Sequence, residues 1–385
     1  SAFLPAGFYY KTFMWPASFW EKYEYVIRHS AGLGKSPTEK DPDVYDHRYI
    51  HCDVLVVGAG ISGILAAKNA AKNNLKTLLV DEKNELGGST IYQNREFNKI
   101  ENQSSSDWLK KEIKELKNIK NLEIKTRTSV AAFHGYNYLL ARENLTDHLE
   151  KKDKQGKIRQ RLLKIRAKKV ILATGALERP LIFNNNDRPG IMLSSAVKKY
   201  ADFYGVVSGK KNVFFTNNDS AYESAFCLHN KGINVEAIID IRESSNSKIV
   251  KAVEEAGIKI HWSHTIVDTS GYKRLNGISA MKLSNDGLSV TGNKINISCD
   301  CLGVAGGWTP AVHLFTQSGG KLKFDENDKI FLPNKYPSEQ LSVGSCNGDF
   351  KLKEIINNLS TNLKQFLKVN ETDFALKELE KAKGD

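Results

Sequence analysis

The 385-residue sequence predicts an α/β fold of two Rossmann-like dinucleotide-binding units, the second inserted in the first. Three observations carry that expectation. The run DVLVVGAGISG from residue 53 reads as a strand, a glycine turn and a helix. A second strand-helix-strand pattern opens with NVFFT at 212–216. After it closes in DCLGVAG (300–306), the segment LSVGSCNGDF and a further helical stretch return the chain to the first unit. Length agrees, because 385 residues exceed one small core and suit two domains.

Residues 1–50 form an arm with nine aromatic residues between Phe8 and Tyr25 and a turn-rich end, GLGKSPTEKDPDVYD. Rings this dense on a segment without a clear period ask to be covered. They either wrap the protein's own core or form a subunit interface. The first dinucleotide-binding domain begins at 51–182. Its strand at 53–57, helix at 61–73 and strand at 76–80 make a βαβ unit of the expected length, about 30 residues. A helix at 106–116 follows, then strands at 122–130 and 136–141, a polar hairpin through KKDKQGK, and a strand at 169–173 that ends in ATGALERP.

The second, degenerate nucleotide-binding-like domain is expected at 183–307. It contains strand 212–216, helix 220–231, strand 235–240, helix 247–256, strand 258–261, a hairpin region at 263–298 and strand 300–306. Residues 308–368, with a helix at 353–367, complete the first domain. Residues 369–385 read as an exposed charged tail.

The formal charge of +12 raises nucleic acid as a partner. Lys is scattered beside matching Glu, as in KKEIKELKNIK at 110–120, and there is no Arg-aromatic stripe, so nucleic acid is not expected. The same charge favours anionic cofactors over a long range. No apolar run reaches about 18 residues, so no membrane span is expected. The five cysteines are odd in number and no secretory pattern opens the chain, which points to a reduced, cytoplasmic setting. The chain starts with Ser1 rather than Met, and is expected to be trimmed or part of a longer product.

The first glycine motif has a physical role for each position. Gly58 permits the tight turn from strand to helix, Gly60 lets a pyrophosphate approach the backbone, and Gly63 lets helix and strand pack closely. The helix start supplies free N–H groups and a positive dipole end. Asp81 lies 23 residues beyond Gly58 at the end of the next strand. There it can take both ribose hydroxyls, and its charge repels a 2′-phosphate. Glu82 and Lys83 either line the adenosine pocket or belong to a solvated turn. ELGGS, with Gly88 and Ser89, either brings a second backbone segment to the pyrophosphate or is a simple turn. Thr174 and Gly175 in ATG carry the chain across the nucleotide. GSCNGD at 344–349, with Gly344, Ser345 and Asp349, has the form of a backbone segment that meets a cofactor at a helix start. Together these describe the two-dinucleotide-domain flavoprotein architecture of the glutathione-reductase type.

In the second unit the place of the glycine motif is taken by TNNDSAY at 216–222, which has no Gly. Asn217, Asn218 and Asp219 would crowd a pyrophosphate, and Asp219 would repel it, so this half is expected to keep the fold without ordinary NAD(P)H docking. Neither CxxC nor CxxxxC occurs, which leaves disulfide-reductase chemistry without a redox pair. No four-cysteine set supports an iron–sulfur cluster, the histidines show no ligand spacing, and neither a metal site nor a catalytic side chain is expected.

PAGFYYKTFMWP, HCDVLVVGAGISG, DEKNELGGS, ATGALERP, FTNNDSAY and GGWTPAVHLFTQSGGKLKFDE closely resemble the α subunit of heterotetrameric sarcosine oxidase, over nearly all of residues 3–350. The resemblance implies a bound NAD on this chain, FMN at the interface with the β subunit, and FAD on β. It also implies partner β and smaller subunits, oxidative demethylation of sarcosine to glycine with hydrogen peroxide release, and a place in one-carbon metabolism. NAD contacts would carry over as Gly58, Gly60, Ser62 and Gly63 at the pyrophosphate turn and Asp81, Glu82 and Lys83 at adenosine. Gly88, Ser89, Val130, Thr174, Gly175 and the 344–349 segment would complete the pocket. The family's small N-terminal ferredoxin-like region and its folate-binding C-terminal domain have no counterpart here, so folate chemistry is not assigned to these residues. The competing readings are a self-sufficient FAD- and NAD(P)H-dependent oxidoreductase, a non-catalytic scaffold, and the α subunit of an opine- or proline-oxidizing complex.

Overall fold

The computed structural model describes residues 15–32, 34, 38–92, 99–100 and 103–369. The first part of the aromatic arm, through residue 14, and the expected charged tail from residue 370 onward lie outside the described residues.

The chain divides into two compact units. The smaller holds the arm to Val44 and the tip at 155–157. Its described part forms helix α1 (Trp20–Ser30), although the sequence showed no clear period there. Charge placement explains the helix. Glu21 lies in the first turn, Arg28 and His29 lie in the last, and Glu24 pairs with Arg28 one turn on. No residue of α1 is buried, and Trp15 is 80% exposed.

The larger unit carries both Rossmann-like sheets. Strand β1 (Val44–Val57) leads through the glycine turn to helix α2 (Ile61–Lys72) and strand β2 (Thr77–Val80). Helix α3 (Ser105–Leu116) and strands β3 (Leu122–Lys125), β4 (Thr128–His134), β5 (Tyr138–Asn144) and β6 (Ile158–Leu172) follow. The sheet runs β3-β2-β1-β6-β5-β4, with β1, β2 and β3 parallel and β4, β5 and β6 antiparallel. The expected single strand at 122–130 is broken at Arg127, whose positive φ of 52° turns the chain while its N–H donates to the Lys83 carbonyl. The expected strand at 169–173 is the end of a 15-residue strand. Leu163, Ile165 and Ala167 of β6 are buried in alternation, as a sheet with one covered face requires.

Strands β7 (Ala176–Glu178) and β8 (Ile191–Leu193) lead to helix α4 (Ser194–Asp202). Strand β9 (Asn212–Thr216), helix α5 (Ser220–Asn230), strand β10 (Val235–Asp240), helix α6 (Lys248–Glu255) and strand β11 (Ile260–Trp262) build the second sheet. Strands β12 (His264–Ser270), β13 (Gly277–Leu283) and β14 (Val290–Ser298) form an antiparallel meander, and β15 (Cys301–Ala305) completes the five-stranded parallel order β8-β15-β9-β10-β11.

Strand β16 (Trp308–Pro310) pairs with β7, helix α7 (His313–Gln317) and the hairpin of β17 (Lys321–Asp325) and β18 (Ile330–Lys335) follow, and β19 (Gln340–Ser342) lies parallel beside β6. This return to the first sheet makes the second dinucleotide-binding fold an insertion in the first. Helix α8 (Leu352–Leu367) closes the fold by placing Ile355, Ile356, Leu359 and Leu363 in the same core as Ile64, Ala67 and Ala70 of α2. Small alanine side chains let α2 lie close to both sheet and helix.

Candidate functional site

The first glycine turn is held from three sides. Gly58 has φ of +99°, and a Cβ added there would lie 2.3 Å from the Ala173 carbonyl oxygen. A Cβ at Gly63 would lie 1.8 Å from the Gly58 carbonyl oxygen. No larger residue fits at either position without moving backbone. The Gly58 N–H donates to Val80 at 2.8 Å, and the Ala173 N–H donates to Val57 at 2.8 Å, which joins the turn to β2 and to the end of β6. At Gly60 the situation reverses, because a Cβ there would meet nothing within 4 Å. The open side of the turn therefore lies at the N-cap of α2, which no side chain caps. Amide N–H groups at such a helix start favour an anionic ligand.

Asp81 leaves β2 toward this turn. Its carboxylate accepts from the Ala59 N–H at 2.6 Å and from the Lys83 N–H at 2.8 Å. Each oxygen keeps further lone pairs for a ribose diol. Gly88 lies against the Cα of Gly60, and the Gly87 N–H donates to the Ala59 carbonyl at 2.7 Å, so ELGGS is brought to the turn. Gly344 approaches Ser62 closely, a Cβ there falling 2.2 Å from the Ser62 hydroxyl oxygen. Thr174 donates from its hydroxyl to the Ala311 carbonyl at 2.8 Å, and the Gly175 carbonyl accepts from Ala311 at 2.9 Å.

Within the 344–349 segment the Gly348 N–H donates to Ser345, and the Asp349 N–H donates to Gly344. Asp349 is 9% exposed, and burial raises its pKa while Asn358, donating at 2.6 Å, opposes that shift. Gly58, Gly60, Ser62, Gly63, Asp81, Gly88 and Gly344 thus meet around one turn. Lys83 joins them through its backbone. Glu82 and Ser89 are exposed, and Val130 packs on a core shared by β1, β2 and the antiparallel strands, which holds Val57, Val80, Phe133 and Leu163. Sequence reasoning missed Ala59, whose N–H and carbonyl tie Asp81 and Gly87 to the turn, and Ala173, whose carbonyl crowds Gly58. A small residue inside a glycine motif and another opening ATG were the only signals.

The ATGALERP strand carries a second group of interest. The Glu178 carboxylate accepts from the Ser195 N–H at the start of α4 at 2.9 Å, while its other oxygen is buried without a hydrogen-bond partner. Burial, opposed by Ser195 and Lys198, raises its pKa.

In the second unit Asp219, Tyr222, Asp240 and Arg242 form a connected cluster. Asp240 ends β10 fully buried, with Arg242 at 2.7 Å and the Tyr222 hydroxyl donating at 2.8 Å. Arg242 also reaches Asp219 at 2.7 Å. Sequence reasoning took Asp219 as a repelling charge and missed its partner. Placing Asp240 opposite Asp81 in the two half-sequences would have pointed to it.

The five cysteines are all unpaired. Burial pushes the Cys52, Cys299 and Cys301 thiols up to about 12, which makes them poor nucleophiles. Among the described residues, no group of three or more His, Cys, Asp or Glu is placed to hold a metal, and no helix is long and apolar enough to cross a membrane.

Two Rossmann-like units, one with a mixed sheet and the other with a parallel sheet nested in it, with a glycine turn and an acid at the next strand end in the first, define an oxidoreductase fold of the flavin- and nicotinamide-binding class. The chain belongs to the pyridine nucleotide-disulphide oxidoreductase family, whose model matches residues 52–338. It is similar to sarcosine oxidase subunit alpha of Rhizobium meliloti (strain 1021), 38% identical over 336 residues, covering 86% of this chain and 32% of that protein. A second relative of the same name, from Corynebacterium sp. (strain P-1), is 38% identical over 321 residues, covering 83% of this chain and 33% of its own. The chain is therefore α-subunit-like, as its motifs suggested, and spans about a third of the length of these relatives. Among solved structures the fold is similar to L-proline dehydrogenase from P. horikoshii, with a TM-score of 0.61 at 21% identity over 86% of this chain and 59% of that one. It is likewise similar to T. acidophilum thioredoxin reductase, with a TM-score of 0.57 at 20% identity over 78% and 92% of the two chains.

Proposed function

We propose that this chain is the NAD-holding α subunit, or part of one, of a heteromeric cytoplasmic sarcosine oxidase. In that complex sarcosine is oxidatively demethylated to glycine with release of hydrogen peroxide. The observation that carries the reading is the open N-cap of α2 at Gly60 beside the Asp81 carboxylate. The turn fits a pyrophosphate, and the adjacent acid suits a ribose with a free 2′-hydroxyl. Similarity to sarcosine oxidase α subunits supplies the substrate and the assembly. Ser62, Gly63, Lys83, Gly88, Thr174, Gly175 and the 344–349 segment complete the dinucleotide site, with Glu82, Ser89 and Val130 at its adenosine and outer edges.

In this reading FAD on a partner β subunit would supply the amine oxidation, and FMN at the α/β interface would supply electron transfer to oxygen. The residues of this chain bind and orient, and none is assigned a catalytic step. The exposed rings of the arm, Trp15, Phe19 and Tyr25, suit a subunit interface. A self-sufficient FAD- and NAD(P)H-dependent reductase is the second reading, favoured by the family match, and an opine- or proline-oxidizing complex is the third.

Nucleotide released on denaturation identifies the cofactor, with NAD expected by mass and absorbance. Peroxide release from sarcosine should appear only when the chain is combined with its β subunit and any smaller subunits. Robust turnover by the chain alone would revive the self-sufficient reductase.

A further inference from the structure

The two Rossmann-like units can be compared group by group. In the first, the helix start has no side-chain cap and the strand-end acid Asp81 is held by backbone N–H groups. In the second, the N-cap side chain likewise makes no cap hydrogen bond, but the first helix amide and both acids have side-chain partners. The Asn218 carboxamide oxygen accepts from the Ser220 N–H at 3.0 Å and from its hydroxyl at 2.6 Å, which takes up the first amide of α5. Asp219 stands at the N-cap of α5 with its carboxylate 2.7 Å from Arg242 Nη1 and 3.2 Å from the Ser245 hydroxyl. Asp240, the strand-end acid, receives Arg242 Nη2 at 2.7 Å, Nε at 3.1 and 3.2 Å, and the Tyr222 hydroxyl at 2.8 Å. The guanidinium lies 5.8 Å from the centre of the Tyr222 ring, and Trp262 stacks on that ring at 6.0 Å.

We infer that Arg242 shuts the dinucleotide-binding face of the second unit by bridging Asp219, at the helix start, to Asp240, at the strand end. These are the two positions at which this fold reads a pyrophosphate and a ribose. A dinucleotide would have to bring its phosphates against the Asp219 carboxylate. It would also have to displace a multiply hydrogen-bonded ion pair to reach Asp240, and such pairs are among the strongest polar contacts. The closure is internal to the second unit and does not depend on what the first unit holds. Hydride from a nicotinamide cofactor therefore has no entry to this chain through the second unit.

The test uses the intact chain with its first site saturated by NAD, titrated with NADH and followed by calorimetry and by the fluorescence of Trp262 against a Trp262→Phe control. Wild type should show no saturable second event up to millimolar NADH. The double variant Asp219→Gly/Arg242→Ala should gain a second equivalent and prefer NADH over NADPH by at least about tenfold, because the freed Asp240 accepts a 2′-hydroxyl and repels a 2′-phosphate. A second equivalent bound by wild type overturns the inference, as does a folded double variant that gains none. Hydrogen exchange on wild type keeps the inference falsifiable even if the double variant does not fold. Amides at 217–222 and 240–245 should be unaffected by millimolar NADH, and protection there overturns the closure. Failure of the first-unit assignment would appear separately, as absence of any dinucleotide on the purified chain.

Discussion

The carboxylate of Asp81 accepts a hydrogen bond from the Ala59 N–H at 2.6 Å, which ties the end of the second strand to the middle of the glycine turn. One side chain thus shapes the turn and, in the function proposed above, also offers its remaining lone pairs to a ribose diol.

Asp81 variants should separate these two roles. Asp81→Ala removes an acceptor worth roughly 1.5–3 kcal/mol to a ribose hydroxyl. NAD affinity should fall by at least about tenfold in a calorimetric titration. The Tm should fall as well, because the Ala59 and Lys83 amides lose their acceptor. Asp81→Asn keeps a carbonyl for the turn and should retain most of the Tm while still weakening NAD. Unchanged affinity in both variants would remove Asp81 from the ribose site.

Gly344→Ala should destabilise the fold by roughly 1–3 kcal/mol, measured by denaturant unfolding. Gly344 has φ of +70°, and its Cβ would fall 2.2 Å from the Ser62 hydroxyl and 3.0 Å from the Ser62 Cβ. Ser62→Ala in the same chain should recover part of that loss, the steric part, and leave the backbone part. A double-mutant cycle with no coupling between the two positions would show that they do not meet.

Glu178 should make stability fall as pH rises. Its pKa in the folded protein is raised by burial above the usual glutamate value, so the folded state binds the proton more tightly than the unfolded state. The neutral acid carries no penalty below the ordinary glutamate pKa. The cost of burying the charge appears as pH climbs from there through the folded-state pKa, and persists above it. Glu178→Gln keeps an acceptor for the Ser195 N–H and removes the charge. Its stability advantage over wild type should therefore be larger at pH 8 than at pH 4 in paired denaturant titrations. The reverse trend would mean that Glu178 is stabilised as an anion.

Trp15→Ala with Trp20→Ala should weaken co-purification with the proposed β subunit and leave far-UV dichroism near native. Trp15 is 80% exposed, and large rings anchor interfaces at low entropic cost. Rapid protease cleavage of the arm within the assembled complex would contradict an interface there.

Much of this architecture is written locally. DVLVVGAGISG prescribes a strand, a positive-φ turn and a helix within 11 residues, and the acid at Asp81 follows at the spacing of one βαβ unit. The second unit was legible in the same way from NVFFT and VEAIID, and TNNDSAY already showed that its turn lacks glycine. The break at Arg127 was not legible. Nothing in TRT marks a positive φ, and the turn is drawn by an acceptor at Lys83, 44 residues earlier.

The sequence by itself determined the order of elements, the glycine turn and the acid that faces it, because each depends on backbone preferences and side-chain period over a few residues. Only the tertiary structure decided that Gly344 comes to rest on Ser62, that Asp81 holds Ala59, and that Arg242 joins Asp219 to Asp240. Those contacts link residues 22 to 282 positions apart, apart from the short Asp240–Arg242 pair. Their geometry is set by the register of parallel strands and the docking of α2, α5 and α8 on the sheets. Local sequence specifies which groups can bond, and packing specifies which of them meet.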